Sequence, residues 1–456
     1  MRKLAIFAIL LQVLPSLLLA QGNYLANTPN NSTTATYGTF NTFVGPYAGA
    51  SFHSAGNRNT VVGYDAGISL TSGSFNSFFG VDAGENTTSG SYNTFVGRSA
   101  GLKNTTGYYN VFTGAFAGQA NTAGYSNVFS GYQAGNVNTI GGSNLFDGYQ
   151  AGYTNTTGSL NVFSGWQAGY SNTSGGTNTF SGAQAGYSNT EGNGNVFIGN
   201  LTGSSNTTGN FNTFTGTYAG TSNTTGESNV FYGYGAGASN KTGSNNIIIG
   251  PQSGTAITTS DDNVLIGYNS QADNGLYNAI AIGANSRVSI SNALILGNQA
   301  NVGIGTSAPT ARLQVRSEQS NESGVRFEQL TSKSPSVLST DQFLTVNEQG
   351  DVVKGRYQLR INNTSEWSDK VFAPDYNLQS LAEVKKYIDA NQHLPGVPSA
   401  EQVVHDGVDL VKMNATLLEK VEELTLYSIE QDKKAQKQEE RIDQLEQLLK
   451  QLLGKK

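Results

Sequence analysis

Cysteine is absent from the 456-residue chain. That excludes disulfide cross-links, thiolate metal sites and a cysteine nucleophile. Charge is also scarce: charged residues make up 13 %, against ~25 % in ordinary soluble domains. The net charge of −6 leaves no basic footprint, so no nucleic-acid partner is expected. Histidine occurs three times, as His53, His393 and His405, and no two have metal-ligand spacing. Neither a metal nor a cofactor is expected. Long apolar runs are missing after the first twenty residues, so no membrane span is expected in the rest of the chain.

Those first residues read MRKLAIFAILLQVLPSLLLAQG. Arg2 and Lys3 precede an apolar stretch from Leu4 to Leu19, and Ala20 before Gln21 offers a cleavage point. This is the pattern of a signal peptide over residues 1–20. An N-terminal anchor is the other reading, but Gln12, Pro15 and Ser16 interrupt a stretch that would need ~20 apolar residues to span. An exported chain without cysteine must draw its stability from geometry rather than cross-links.

Glycine is abundant, at 56 residues, and it is phased. Asn recurs at 41, 59, 76, 93, 110 and onward to 263; the first step is 18 residues and every later one is 17. Gly stands four positions after each of these Asn, from Gly45 to Gly267, and Phe two positions after most of them, as in Phe78, Phe95 and Phe231. The unit reads approximately N-[TV]-F-x-G-x-x-A-G-x-x-N-T-T-G-x-x. Asn-Thr/Val-Phe is a short β-prone run that the next Gly ends by permitting positive φ. Two Gly-centred corners predict two short strands and two turns per coil. A single unit cannot bury its own apolar face, so successive units must stack. Stacking sets each Phe above the last and lets the Asn side chains form an amide ladder. Fourteen units make a column of about 65 Å at one strand spacing per unit. A disordered Gly/Asn/Ser tract would need neither the fixed Gly register nor the phased Phe.

After Asn263 the step shortens: NAIAIG begins at Asn278 and NALILG at Asn292. With NNIIIG at Asn245, these motifs resemble the head repeats of YadA-like trimeric autotransporter adhesins. The resemblance implies a left-handed parallel β-roll in which three chains pack side by side, hence a homotrimer. It is close over 245–300 and looser over 41–244, where Phe stands in place of the family's small residue. Either face of the run could therefore turn to the protomer core.

From Asn301 the text changes to NVGIGTSAPTARLQVRS, which resembles the junction between shaft and cap in bacterial and phage tail-fibre-like proteins. Pro309 breaks the repeat register. FLTVNEQGDVVKG predicts a hairpin about Gln349-Gly350. Ser380-Leu-Ala-Glu383 and Ser399-Ala-Glu-Gln402 are capping-box patterns opening two helices, with the breaker HLPGVPS between them. From Leu410 to Leu452 a heptad register holds. One core set is Asn414, Val421, Ser428, Ala435, Ile442 and Leu449; the other is Leu410, Leu417, Leu424, Gln431, Gln438, Leu445 and Leu452. This predicts a coiled coil. Heptads do not set the strand number; the trimer is implied by the resemblance.

The expected organisation is therefore a signal peptide (1–20), a leader (21–40), a β-solenoid of 17-residue and then 14–15-residue repeats (41–300), a β-rich connector (301–365), a small helical and loop region of chaperone-like character (366–408), and a coiled coil (409–453). The fold class is mainly β, with a small α+β C-terminal region and a terminal helix. No catalytic residue is nominated. The fourteen charged residues between 41 and 300 do not recur in phase, so no ladder of paired carboxylates lines the repeats. The expected function is a secreted or cell-surface structural or adhesive fibre without catalysis, with a glycan or another surface as a possible ligand class. One self-processing alternative remains. Ser368-Asp369 lies where some tail-spike chaperone domains, which this C-terminal order of parts resembles, cut themselves. The family's following Arg-Leu-Lys is absent, with Val371-Phe372 standing instead, and no base is identifiable from sequence. A third reading is an ice-binding array of Thr, although the Thr lie mostly in N-T-T-G turns. Tyr132, Tyr149 and Trp166 follow repeat glycines and either project from the column or cover the corner of the next coil. Asn-x-Ser/Thr triplets such as Asn104-Thr-Thr and Asn155-Thr-Thr are read as turn residues rather than glycosylation acceptors.

Overall fold

The computed structural model describes residues 24–26, 38–52, 56–319, 324–325, 328, 342–356 and 367–454. The signal-peptide segment 1–20, most of the leader and His53 lie outside them. Contacts divide the chain near residue 326 into two units.

The first unit is a parallel β-solenoid. Seventeen strands, from Tyr24–Ala26 to Ala293–Leu296, form one sheet in which each strand pairs in parallel with that of the next coil. The register is one repeat per rung: Phe112 lies beside Phe129, and Phe129 beside Phe146. The Phe therefore points inward, which settles the face left open by the repeat motif. The ten phenylalanines from Phe78 to Phe231 are fully buried. Their rings stack at 4.6–4.9 Å with planes within 4–11° of parallel. Val61, Ile248 and Leu265 continue the column at its ends. Burying each such side chain contributes about 1.5–3 kcal/mol, so this column is the main apolar term.

The walls are not built as expected. Each 17-residue coil has one three-residue strand, not two. The other two walls run through residues held at positive φ, such as Gln133 at 57° and Ser126 at 55°, which interrupt any extended run. Backbone bonding between coils continues there regardless: Thr122 N–H donates to Thr139 O at 2.8 Å and Gln133 N–H to Ala115 O at 3.0 Å. The predicted second strand occurs only in the short coils, where Gln271–Ala272 pairs with Arg287–Val288. Two glycines per unit are obligatory in this geometry. A Cβ on Gly118 would sit 2.4 Å from the Phe112 ring, and one on Gly114 would sit 2.3 Å from Gly131 O.

Two amide ladders lie inside the coil. In the first, Asn93 Oδ1 accepts from Asn110 N–H at 3.0 Å and from Asn110 Nδ2 at 3.2 Å, and Asn93 Nδ2 donates to Gly107 O at 2.9 Å. The second belongs to the N-T-T-G segments: Asn121 Nδ2 donates to Asn104 Oδ1 at 2.8 Å, and the pattern repeats coil by coil to Asn240. Each of these Asn is fully buried, so the triplets at Asn104 and Asn155 are core residues in the folded coil. At the ends of this ladder lie Thr87 Oγ1 and Asn240 Oδ1, the only buried side-chain atoms of the solenoid without a hydrogen-bond partner among the described residues. Beyond them stand Leu70 and Ile257, which offer no amide.

Further along the first unit, Val302–Ile304 and Leu313–Val315 form a short parallel pair around Pro309. In the second unit, Gln342–Val346 and Val352–Arg356 form the predicted hairpin, with Asn347 Oδ1 accepting from Asp351 N–H at 2.8 Å across the turn. A 3-10 turn spans Ser368–Phe372. Helix α1 (Leu381–Asn391) and helix α2 (Ala400–Asp406) both open with the predicted capping boxes, at Ser380/Glu383 and Ser399/Gln402. Helix α3 (Leu410–Leu453) is capped by Asp409, whose carboxylate accepts from Val411 and Lys412 N–H.

Candidate functional site

Among the described residues, the candidate surfaces are side-chain columns on the solenoid and a stripe on a helix. Three side-chain columns run along the solenoid in the coils between residues 130 and 190, close together in sequence. Tyr132, Tyr149 and Trp166 form the first, each close to half exposed. They project rather than cover, and Tyr132 stacks on Tyr149 at 5.4 Å. Next to them in sequence, Gln133, Gln150, Gln167 and Gln184 form an amide ladder: Nε2 of each later residue donates to Oε1 of the one before, at 2.8, 3.0 and 3.1 Å. Three residues beyond Gln150, Gln167 and Gln184 stand Tyr153, Tyr170 and Tyr187, stacked at 5.1 Å. Burial raises the Tyr170 hydroxyl above its usual range, and the flanking tyrosines add to that. The Gln and second Tyr columns were not singled out from sequence. The signal was present as the same residue type at 17-residue intervals, but their neighbours lie one coil away rather than nearby in the chain.

The first Thr of N-T-T-G forms a separate column. Thr122 Oγ1 donates to Thr139 O at 3.1 Å and Thr139 Oγ1 to Thr156 O at 2.9 Å. These donors are spent between coils, which removes them from the free array an ice-binding face would present. On the strand wall, the outward positions become strongly apolar toward the C-terminal coils, with Ile247, Ile249, Ile282, Leu294 and Leu296 exposed.

Helix α3 has two unlike flanks. On one, the segment from Ser368 to Gln379 is clasped to it. Lys370 Nζ pairs with Glu419 at 2.9 Å, and Ser368 Oγ donates to Glu422 Oε1 at 3.2 Å. Tyr376 OH bonds to Glu423, and Tyr427 OH to Gln379 O. Val371 is buried beneath the clasp. Burial pushes the Glu419 carboxyl up, but the Lys370 and Lys420 ammoniums outweigh it and hold it below the usual range. Burial, then the Glu423 bond, raises the Tyr376 hydroxyl well above normal. The other flank carries the heptad residues Leu410, Leu417, Val421, Leu424, Ile442, Leu445, Leu449 and Leu452, all exposed. No residue of α3 is buried. The clasp uses heptad positions b, c, f and g, and leaves a and d open.

Ser368, the nominated cleavage position, is buried, and the structure sets Glu422 against its hydroxyl. Glu422 Oε2 is itself buried without a partner. This carboxylate was not found from sequence because it lies 54 residues away. His393 and His405 lie apart in the same unit: the His393 ring packs edge-on against Tyr387, and His405 contacts Asp406. Among the described residues no group of three His, Cys, Asp or Glu could hold a metal ion, and no helix is long and apolar enough to cross a membrane.

By fold this is a parallel β-solenoid of about fifteen turns with a small antiparallel hairpin and a helical C-terminal region. No family model matches the chain, and neither the curated proteins nor the solved structures contain a match.

Proposed function

We propose that the chain is a secreted or cell-surface fibre protein that works as a homotrimer, structural or adhesive in role and without catalysis. The observation that carries this is the unpaired a/d stripe of α3. Eight large apolar side chains lie exposed on one flank of a 44-residue helix, and none of the described residues covers them. Parallel association of identical helices covers such a stripe by knobs-into-holes packing. The apolar strand wall at Ile247–Leu296 supplies a second contact between solenoids, in keeping with the likeness of NNIIIG, NAIAIG and NALILG to trimeric adhesin heads. Export rests on the N-terminal pattern of Arg2, Lys3, the apolar stretch Leu4 to Leu19 and the cleavage point after Ala20. Light scattering of the mature protein tests the reading: a mass three times that of one chain is expected, and a monomer at micromolar concentration refutes it.

A second reading is favoured by one contact. With Glu422 accepting from the Ser368 hydroxyl, this pair has the nucleophile and base that self-cleavage requires. Glu422 would take the serine proton, the oxygen would attack the Trp367 carbonyl carbon, and the freed nitrogen would take the proton. Water would then split the ester, leaving a new N-terminus at Ser368. Intact mass on a denaturing gel decides it: a single full-length band removes the reading, and two fragments lost in Ser368→Ala support it.

A further inference from the structure

We propose that the wall carrying the paired aromatic columns and the Gln ladder binds one linear, uncharged polysaccharide laid along the stack. The proposal rests on the adhesive reading above and names the ligand class of that surface. Three observations carry it. The first is chemical: each rung offers a ring edge, a phenol or indole N–H, and an amide. Tyr149 and Trp166 are about half exposed, at 45 and 49 %, and such side chains present an apolar body and a polar tip. Gln150 and Gln167 each spend one N–H and the oxygen on neighbouring coils, Gln133 its oxygen and Gln184 one N–H, which leaves amide N–H groups along the ladder for a ligand. Sugar rings, with C–H faces and hydroxyl rims, match both kinds of group.

The second observation is electrostatic. From residue 104 to 226 the chain carries only Asp147 and Glu191 as charged residues. A polyanion would find no cation there, and a polycation two isolated carboxylates. The third is periodic. The ring centroids of these columns lie 5.1–5.4 Å apart, close to the rise of one residue in an extended glycan chain. A ligand with that short repeat makes the same weak contact at several rungs, and the contacts sum. A folded protein partner has no such repeat. The patch is also bounded: the equivalent residues one coil beyond Gln184 are Asn200, Leu201 and Ser204, and two coils before Tyr132 they are Arg98, Ser99 and Leu102.

Native affinity electrophoresis of the full-length protein tests this, with hydroxyethyl cellulose, xylan or galactomannan in the gel, alginate as a polyanion and gelatin as a protein surface. Retardation by at least one neutral polysaccharide is expected, weakened tenfold or more in Tyr149→Ala/Trp166→Ala and unchanged in Tyr277→Ala, an exposed tyrosine away from the wall. Gln150→Ala, which leaves the rings in place, is expected to weaken it to a lesser degree. Circular dichroism of each variant confirms that the solenoid is intact. Retardation only by alginate or gelatin, by none of the gels, or equally in wild type and the double variant overturns the proposal. Light scattering on the same samples separates this from failure of the fibre reading, since a monomer would still be retarded if the wall binds glycan.

Discussion

The solenoid and helix α3 solve the same problem in opposite ways. Both carry a regular apolar row, every 17 residues in one and every seven in the other. The solenoid buries its row inside its own coil, and Phe78 to Phe231 are fully covered without a second chain. Helix α3 has no buried residue, and its a/d row is exposed among the described residues. A solenoid's stability is then a sum of terms between neighbouring coils. In the proposed trimer, the stability of the helix stripe depends on association and therefore on protein concentration.

The largest expected effect comes from attacking the stripe. Leu417→Asp with Leu424→Asp places charges at two adjacent d positions without touching the clasp. We expect the solution mass to fall to that of one chain and the helical circular-dichroism signal to drop. The melting of the β signal should stay unchanged. Concerted loss of both signals would mean that the solenoid, too, needs the assembly.

Next comes the solenoid interior. Phe163→Ala removes one ring from the stack between Phe146 and Phe180 and should cost about 3–5 kcal/mol. Asn155→Ala strands the Asn138 acceptor inside the second ladder, at a cost of about 1–3 kcal/mol. Denaturant unfolding of the β signal measures both. In each case the trimer mass should persist, because the helix stripe is untouched.

Acid should drive the two regions apart. The Glu419 carboxyl is held low in the fold by its lysines, against burial, relative to a normal value of 4.5. Its stabilising charge is complete above that value and is lost as pH falls through the lower folded value, so the clasp on α3 weakens in acid. In the solenoid, burial raises Asp65 and Glu85, and Asp82 raises both further. Raised carboxyls favour the protonated form in the fold, so the first coils lose stability as pH rises through those values and regain it in acid. Between neutrality and about pH 4, thermal melts should show the helical signal softening while the β signal holds or gains. Parallel loss of both signals would contradict these assignments.

Much of the solenoid was legible because its determinants recur in phase. Asn, Phe and Gly at fixed offsets mark the inner ladder, the core ring and the corner. The second strand per coil was misjudged because inter-coil backbone bonding does not require extended φ and ψ; residues such as Gln133 at positive φ bond to the neighbouring coil just as well. The second Asn ladder was hidden for a related reason. N-T-T-G reads as a local turn, whereas the partner of Asn121 is Asn104, in another coil. Ser368 was found from its dipeptide, but its partner Glu422 required the fold.

The smallest expected effect concerns the strain that the stack carries. Thr177 sits at φ 56°, a left-handed position that costs an L-residue roughly 1–2 kcal/mol and suits a β-branched residue least. One coil further, the same position holds Gly194 at φ 65°. Thr177→Gly should relieve that strain, offset by the ~0.5–1 kcal/mol that glycine loses in chain entropy. It also gives up an exposed hydroxyl bond to Gly176 O. The net gain expected in β-signal stability is below about 1 kcal/mol by that difference, and Gly194→Thr should lose more, because its Cβ would meet the Phe211 ring at 2.8 Å. Neither change should alter the mass of the assembly. If Thr177→Gly destabilised the β signal by more than the entropy term, the left-handed corner would not be a strained site that stacking holds in place, and the coil's closure would owe more to its side-chain bonds than to its neighbours.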